Sequence, residues 1–166
     1  MKKIYLAGFD VFRKDAKERG LILKDLCKKY GYEGLYPLDN EVQEQKKNLM
    51  AQKIFEGNIK LIKEADIIIA NLNNFRGLEP DSGTAFECGV GYALGKKVYG
   101  YIDDIRAIIE KYPFIKTTLG EFVFDTDGLI IEDFELPLNL MLSCSATIIE
   151  GDFEQCLKQS KNKGLY

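Results

Sequence analysis

The sequence of 166 residues is 46% apolar and carries a formal charge of -3, from 23 basic and 26 acidic side chains. Its length and apolar content predict a single globular domain over residues 1–166 with a full hydrophobic core. The mixed charge argues against a nucleic-acid partner, and no stretch approaches the ~20 consecutive apolar residues of a membrane span. The apolar run at the N-terminus is too short for a signal peptide.

Two residue counts limit the chemistry. The chain has no histidine, which removes histidine-based acid–base catalysis and the common zinc sites. We therefore expect no metal, and an enzyme with this sequence must rely on carboxylates, tyrosine, lysine or cysteine. The four cysteines form no C-x-x-C pair, which predicts free thiols in a reducing cytoplasm.

The apolar pattern predicts alternating strands and helices. In chain order we predict a strand over residues 4–8, a helix over 10–30, a short strand over 34–37, a polar loop from 38 and a helix from about 48 to 64. Next we predict a buried strand over 66–71, a helix around Glu87 that ends near Gly95, and a strand over 97–102. Residues 103–127 read as irregular, with a helix at 105–111, before a strand over 146–149 and a last helix over 152–161. This order indicates a parallel sheet of about five strands with helices on both faces.

Glu87 is the leading candidate for a functional residue. It lies early in a helix that follows a buried strand, so it is expected at the edge where open α/β sheets bind ligands. The positions four residues apart from it along the helix are Gly83, Gly91 and Gly95. Glycine in a helix costs about 1 kcal/mol relative to alanine, and two explanations are equally open: clearance for a ligand over Glu87, or close packing of the helix on the sheet.

Asp81 provides a second carboxylate six residues earlier. It lies before the start of the same helix, so both carboxylates can face one cavity. A pair of carboxylates in unequal environments suits cleavage of a glycosidic bond, in which one stabilises or attacks the sugar carbon and an acid protonates the leaving group. The competing interpretation is that Asp81 is only the N-cap of the helix.

The segment over residues 74–89, NFRGLEPDSGTAFECG, resembles the signature of nucleoside 2-deoxyribosyltransferases. Four further patches agree with that family and occur in its order: residues 4–8, 37–40, 58–66 and 136–141. The resemblance implies a flavodoxin-like doubly wound sheet. It also implies an enzyme of nucleoside salvage that exchanges the base of 2'-deoxynucleosides with free nucleobases and needs no cofactor.

The resemblance also implies roles for particular residues. Glu87 is the nucleophile that forms a covalent deoxyribosyl-enzyme, and Asp81 lies near the base and the sugar hydroxyls and helps to protonate the departing base. Tyr5 lies at the end of the first strand and hydrogen-bonds Glu87. Gly8 and Gly83 are further candidate substrate-binding residues.

Four other candidates concern substrate binding and assembly. Asn139 and Met141 are expected to reach into the site of a neighbouring subunit, Asn139 toward the 5'-hydroxyl, which implies a homo-oligomer with shared active sites. Asn58 stands where some members of the family have a second aspartate near the base, and an amide cannot deliver a proton as a carboxylic acid does. Tyr166 matches a terminal tyrosine whose carboxylate contributes to the site in those enzymes.

Structural roles remain open for several of these residues. Tyr5 fits a core aromatic of the first strand, Met141 a packing residue and Asn139 a cap before a short helix. Three functions also remain open. The first is deoxyribosyl transfer, and the second is hydrolysis of the N-glycosidic bond of a nucleoside or a deoxynucleoside 5'-monophosphate, although the carboxylate of Asp81 disfavours a phosphate beside it. The third is a non-catalytic nucleotide-binding module, which has no need of an acid at position 87.

Overall fold

The computed structural model describes residues 1–40, 42–112, 117–119 and 122–162. Along the chain, strand β1 (Lys3–Gly8) is followed by a 3-10 turn (Phe9–Phe12), helix α1 (Ala16–Lys29), strand β2 (Glu33–Leu35), a second 3-10 turn (Pro37–Asp39), helix α2 (Lys47–Glu64) and strand β3 (Ile67–Asn71). Next come helix α3 (Ser82–Ala93), strand β4 (Lys97–Ile102), helix α4 (Ile108–Lys111) and strands β5 (Thr117–Leu119) and β6 (Phe122–Phe124). The described chain ends with helix α5 (Leu140–Ser145), strand β7 (Thr147–Glu150) and helix α6 (Phe153–Asn162).

Five strands form one parallel sheet in the order β2-β1-β3-β4-β7. Numbered along the sheet-forming strands, this is the 2-1-3-4-5 order of flavodoxin-like folds. The expected doubly wound sheet of five parallel strands is therefore confirmed. Among the described residues, no helix is long and apolar enough to cross a membrane.

The two faces of the sheet carry separate halves of the core. Because side chains alternate along a strand, Ile4 and Leu6 of β1 pack toward α1 and α6, whereas Tyr5 and Ala7 face the side of α2, α3 and α5. Strand β3 is buried throughout, as expected of a central parallel strand covered on both faces. The alternation of side chains along β1 therefore places Tyr5 on the same side of the sheet as α3.

The structure corrects several predicted elements. The predicted helix over 10–30 is divided, because Arg13 adopts an extended backbone after the first 3-10 turn, and α1 begins only at Ala16. The predicted helix over 105–111 is the single turn α4, and the segment read as irregular contains the antiparallel hairpin β5–β6. The short helix expected after Asn139 is α5. Three-residue strands and one- or two-turn helices are too short for apolar periodicity to reveal.

Two glycines of α3 have opposite packing. A Cβ on Gly91 would lie 2.5 Å from Cγ1 of Ile68, whereas a Cβ on Gly89 would meet nothing within 4 Å. Gly91 therefore lets α3 approach the sheet, which is the packing explanation for that position, and Gly89 faces open space.

This contrast predicts opposite effects of the same substitution. Gly91→Ala should destabilise the protein by about 1–3 kcal/mol, because an overpacked side chain must displace Ile68. Gly89→Ala should stabilise it by up to about 1 kcal/mol through helix propensity. Urea denaturation of the two variants beside the wild type measures both effects, and a Gly91→Ala variant as stable as Gly89→Ala would contradict the packing described.

Candidate active site

A cavity of about 340 Å³ opens beside the carboxyl end of β1 and the start of α3. This volume lies within the range typical of small-molecule sites. Its lining combines five candidate residues from the sequence with apolar side chains and one hydroxyl: Gly8, Asn58, Asp81, Gly83 and Glu87, together with Val11, Phe12, Pro37, Leu38, Ile54 and Thr84. The structure therefore brings the two carboxylates into one cavity.

Tyr5 holds the side chain of Glu87 through a hydrogen bond. The Tyr5 hydroxyl donates a hydrogen bond of 2.5 Å to Oε1 of Glu87. Tyr5 is fully buried and belongs to the core between the sheet and α3, so the ring is fixed by packing while its hydroxyl reaches the carboxylate. It lies within β1 rather than at its end. The core-aromatic interpretation and the hydrogen-bonding role of Tyr5 hold together.

The environment of Glu87 changes its acidity. The pKa of Glu87 is raised to about 7: burial is the main cause, the hydrogen bond from Tyr5 opposes it by stabilising the ionised form, and the negative charge of Asp81 adds a smaller increase. The pKa of the Tyr5 hydroxyl is itself raised, by burial and by the charge of Glu87, so Tyr5 remains a donor. A carboxyl that titrates near neutral pH in a cavity is typical of a functional site.

Asp81 caps α3 and also lines the cavity. Its Oδ2 accepts hydrogen bonds from the backbone N–H of Thr84 at 2.8 Å and from the Thr84 hydroxyl at 2.9 Å. The N-cap interpretation is therefore correct. Both bonds end on the same oxygen, and no described residue donates a hydrogen bond to Oδ1. The cap thus orients the carboxylate while leaving one oxygen available to a ligand.

The glycine positions around Glu87 have separate explanations. Gly83 is exposed, lines the cavity and lies so close to the cap that a Cβ there would be 3.1 Å from Oδ2 of Asp81. Gly91 packs on the sheet. Gly95 lies beyond the end of α3 and has φ +71, a conformation that glycine adopts without strain at helix ends. Of these three glycines, Gly83 is the one that lines the cavity.

Asn58 contributes a buried amide oxygen to the cavity. It lies on α2 and lines the cavity, and its buried Oδ1 receives no hydrogen bond from the part of the chain that the structure describes. A buried polar atom without a partner costs free energy. A ligand in the cavity would supply the missing donor.

Asn139 and Met141 do not line the cavity of Glu87. They lie at the start of α5 and line a separate, mostly apolar cavity of about 530 Å³ with Tyr92 and Ala85. Oδ1 of Asn139 accepts from the N–H of Met141, so Asn139 does cap α5, and its Nδ2 donates to Glu132 at 2.7 Å. Met141 is 71% exposed, so the interpretation of its side chain as core packing within one chain is wrong. Tyr166 lies outside the described residues.

Phe12 and Thr84 are two cavity residues that the sequence interpretation did not include. Thr84 stands three residues after the N-cap, where a side-chain or backbone donor to the cap is expected, so its position was available from the sequence. Phe12 lines the cavity from the turn after β1, and only the fold brings that turn beside α3. The same holds for Ile54 of α2.

A larger polar cavity lies next to the same edge of the sheet. It has a volume of about 560 Å³, and its charged residues include the ion pairs Arg19–Asp10 and Arg106–Asp104. The smaller cavity holds the buried carboxyl of Glu87, whose pKa is raised, and is therefore the better candidate for catalysis. In the described ranges, no group of three or more histidine, cysteine, aspartate or glutamate residues is placed to hold a metal ion.

Comparison with known proteins identifies the family of the chain. The model of the family "Nucleoside 2-deoxyribosyltransferase" matches residues 4–141, which include both carboxylates and Tyr5. The chain belongs to the nucleoside 2-deoxyribosyltransferase family. The fold agrees, because a 2-deoxyribosyltransferase from Leishmania mexicana superposes with a TM-score of 0.81 at 35% identity, over 99% of this chain and all of that one.

The chain is also similar to two other proteins. An uncharacterized protein of Schizosaccharomyces pombe is 38% identical over 155 residues, which cover 83% of this chain and 74% of that protein. A 2-deoxyribosyltransferase from Bacillus psychrosaccharolyticus shares the fold at 21% identity with a TM-score of 0.61, over 98% of this chain and 93% of the other. As a member of the deoxyribosyltransferase family, the chain is an α/β protein of an enzyme family that acts on nucleosides and nucleobases.

The contact between Tyr5 and Glu87 predicts a measurable change in acidity. Tyr5→Phe keeps the ring in the core and removes the hydroxyl that stabilises the ionised carboxylate. The pKa of Glu87 should therefore rise above its value of about 7. NMR titration of carbon-13-labelled glutamate measures it, with the resonance assigned from a Glu87→Gln variant. A pKa that stays constant or falls in Tyr5→Phe would show that the hydrogen bond does not stabilise the ionised form.

Proposed function

We propose that this protein transfers 2-deoxyribose from one nucleobase to another through a covalent intermediate on Glu87. The observation that carries the proposal is the state of that side chain. Its carboxylate lies in a cavity of suitable volume, titrates near neutral pH, and is held through one oxygen by Tyr5. The second oxygen, Oε2, receives no hydrogen bond from any described residue and is the atom we assign to attack.

In the first half of the reaction, Oε2 of ionised Glu87 attacks C1' of the deoxynucleoside. The bond between C1' and the base nitrogen breaks, and its electron pair leaves with the base. In the reactive form the two carboxyl groups hold one proton between them, and when Glu87 is ionised this proton lies on Oδ1 of Asp81, the oxygen that the cap leaves available. Asp81 supplies this proton to the departing base. General acid catalysis of this kind is typically worth about 10²–10⁴-fold. The product is a free base and an ester between deoxyribose and Glu87.

In the second half, a nitrogen of the incoming base attacks C1', and the Glu87 carboxylate leaves with the electrons of the ester bond. The incoming base gives up its proton to Asp81, which restores the starting protonation. A 2'-hydroxyl would withdraw electrons from the oxocarbenium-like transition state and would need space beside Glu87 and Tyr5. The site therefore favours 2'-deoxynucleosides over ribonucleosides.

The walls of the cavity fit a flat, partly polar ligand. Val11, Phe12, Leu38 and Ile54 provide apolar surface for the faces of a base, and the unpaired Oδ1 of Asn58 provides an acceptor for one of its N–H groups. We assign base binding to this part of the cavity. Such exchange serves nucleoside salvage, and we propose a cytoplasmic setting, in which the four unpaired cysteines remain reduced.

We also propose that the active protein is a homo-oligomer with shared sites. Met141 exposes 71% of its surface near Tyr92, which exposes 60%. Both side chains line the apolar cavity between α3 and α5, away from the Glu87 cavity of their own chain. Asn139 and Met141 therefore serve a substrate only if a neighbouring copy presents its site to them.

The first test is base exchange. Incubation of the protein with deoxyinosine and free adenine should yield deoxyadenosine and hypoxanthine by chromatography. Glu87→Ala should reduce this exchange at least ~10³-fold, because the covalent path has no other nucleophile. Glu150→Ala, at an exposed glutamate on the edge strand β7, should keep wild-type activity.

The identity of the products separates the alternatives. Mass spectrometry of the wild type with a slowly reacting deoxynucleoside should show one deoxyribosyl group on Glu87. Hypoxanthine without deoxyadenosine would mean that water resolves the intermediate and that the protein is a hydrolase. Near-normal exchange by Glu87→Ala would overturn the mechanism.

The second test is complementation between two inactive variants. Glu87→Ala lacks the nucleophile, and Asn139→Ser lacks the amide but keeps an oxygen able to cap α5. If sites are shared, mixing the two under subunit exchange should restore activity, because a hybrid dimer holds one site with both residues intact. A fully active monomer in analytical ultracentrifugation would disprove shared sites.

A further inference from the structure

Two loops at the candidate active site are joined by stacked aromatic rings. Phe75, in the loop between β3 and α3, stacks with Phe9 at 5.4 Å and with Phe12 at 5.3 Å between ring centroids, with interplanar angles of 17° and 20°. Phe9 and Phe12 lie three residues apart in a 3-10 turn, so their side chains eclipse on one side of it. A single ring from the other loop therefore meets both.

Arg76 completes this contact. Its guanidinium lies 4.6 Å from the ring centroid of Phe75 and 5.6 Å from that of Phe12, both within the range of cation–π attraction. We call the side chains of Phe75 and Arg76, together with the two rings of the turn, the aromatic clamp. It ties the loop after β1 to the loop after β3, the two loops that flank the cavity of Glu87.

The backbone of Arg76 is in a conformation that a residue with a side chain adopts at a cost. Its φ is +53°, in the left-handed region, where a Cβ is unfavourable. The Phe75 N–H donates to the carbonyl of Glu79 at 2.9 Å and closes the loop around this residue. Glycine or asparagine would occupy the position with less strain. Strain of this kind at a ligand cavity points to a role for the side chain.

The clamp ends at the wall of the cavity. Phe12 lines the cavity with Glu87 but is itself 59% exposed. So exposed a ring is poorly confined by the core. The contacts with Phe75 and Arg76 are the ring interactions that hold it among the described residues.

We infer that Phe75 and Arg76 are positioning residues that hold Phe12 as the surface on which the nucleobase lies. This inference rests on the proposed function of the cavity. Stacking of a base on an aromatic ring accepts every base, because every base has a flat face. The clamp therefore sets base affinity, and purines, with two fused rings, depend on it more than pyrimidines. The chemical step on Glu87 does not require it.

The inference predicts a separation of KM from kcat. In exchange assays, Phe75→Ala should raise KM for adenine at least ~5-fold, the lower end of what one stacked base contributes, and raise KM for cytosine less. The value of kcat at saturating base should stay within about 2-fold of wild type, since Glu87 and Tyr5 are untouched. Phe75→Tyr should restore KM, because it restores the ring.

Two further variants separate the side chains from the loop backbone. Arg76→Gly relieves the left-handed strain at this position. If Arg76 had only a structural role, the loop of the variant would be at least as stable as that of the wild type. We expect KM for adenine to rise about 2–5-fold nonetheless, from loss of the cation–π contact. Phe134→Ala removes an exposed ring that lines no described cavity and should leave KM unchanged. If Phe75→Ala fails to fold by circular dichroism, Phe75→Leu and Arg76→Gly carry the test.

The outcomes distinguish this inference from the proposed function. Active enzyme with unchanged KM in folded Phe75→Ala or Phe75→Leu overturns the clamp and leaves deoxyribosyl transfer standing, as does a fall in kcat alone. If the wild type catalyses neither exchange nor hydrolysis, calorimetry with adenine replaces kinetics. Binding that weakens in Phe75→Ala and recovers in Phe75→Tyr supports the clamp although the proposed function fails. Binding that is absent, or unaffected by Phe75, overturns it.

Discussion

The hydrogen bond between the Tyr5 hydroxyl and Glu87 is the contact on which the candidate site depends. It joins the centre of the sheet to the first turns of α3 and fixes one carboxylate oxygen at 2.5 Å. Burial around it raises the pKa of Glu87 to about 7. Because that pKa lies above the ordinary value of 4.5, the folded state holds the proton more tightly than the unfolded chain does. The contribution of Glu87 to stability is therefore fully present below about pH 4.5 and is lost as the pH rises to about 7. Ionised Glu87 is kept at the expense of stability, as is common where a side chain must react.

The position of α3 depends on two local features, each of which the sequence alone explains by a structural role. Gly91 lets the helix approach Ile68, and Asp81 caps its N-terminus through Thr84. Both features also set the chemistry. The close approach brings Glu87 within reach of the Tyr5 hydroxyl, and the cap uses only one oxygen of Asp81. A structural role and a functional role are therefore not alternatives for these residues, because the same hydrogen bonds that stabilise the helix orient the carboxylate.

Under the proposed function, the residues around the cavity divide into a reactive pair and a surface that binds the base. Tyr5 and Glu87 come from the core side of the sheet, where packing leaves little freedom. Phe12 comes from a turn whose ring is held by contacts with another loop. Loops positioned by a rigid scaffold commonly supply binding surface. Under the proposed function, this division would let base recognition vary with loop residues while the geometry of the carboxylate stays constant.

The sequence by itself determined the order of the five sheet strands and the longer helices, the parallel sheet and the choice of Glu87 and Asp81 as candidate residues, because these features depend on local periodicity and on a motif contiguous in the chain. It could not reveal the hairpin β5–β6, since strands of three residues carry no readable period. The tertiary structure alone decided that Tyr5 and Glu87 meet across 82 positions of sequence, that Phe12 and Ile54 share one cavity, and that Asn139 and Met141 line another. It also revealed the stack of Phe75 on Phe9 and Phe12. Contacts of this kind depend on which loops the crossovers bring together. The spacing of residues along the chain does not encode which loops meet.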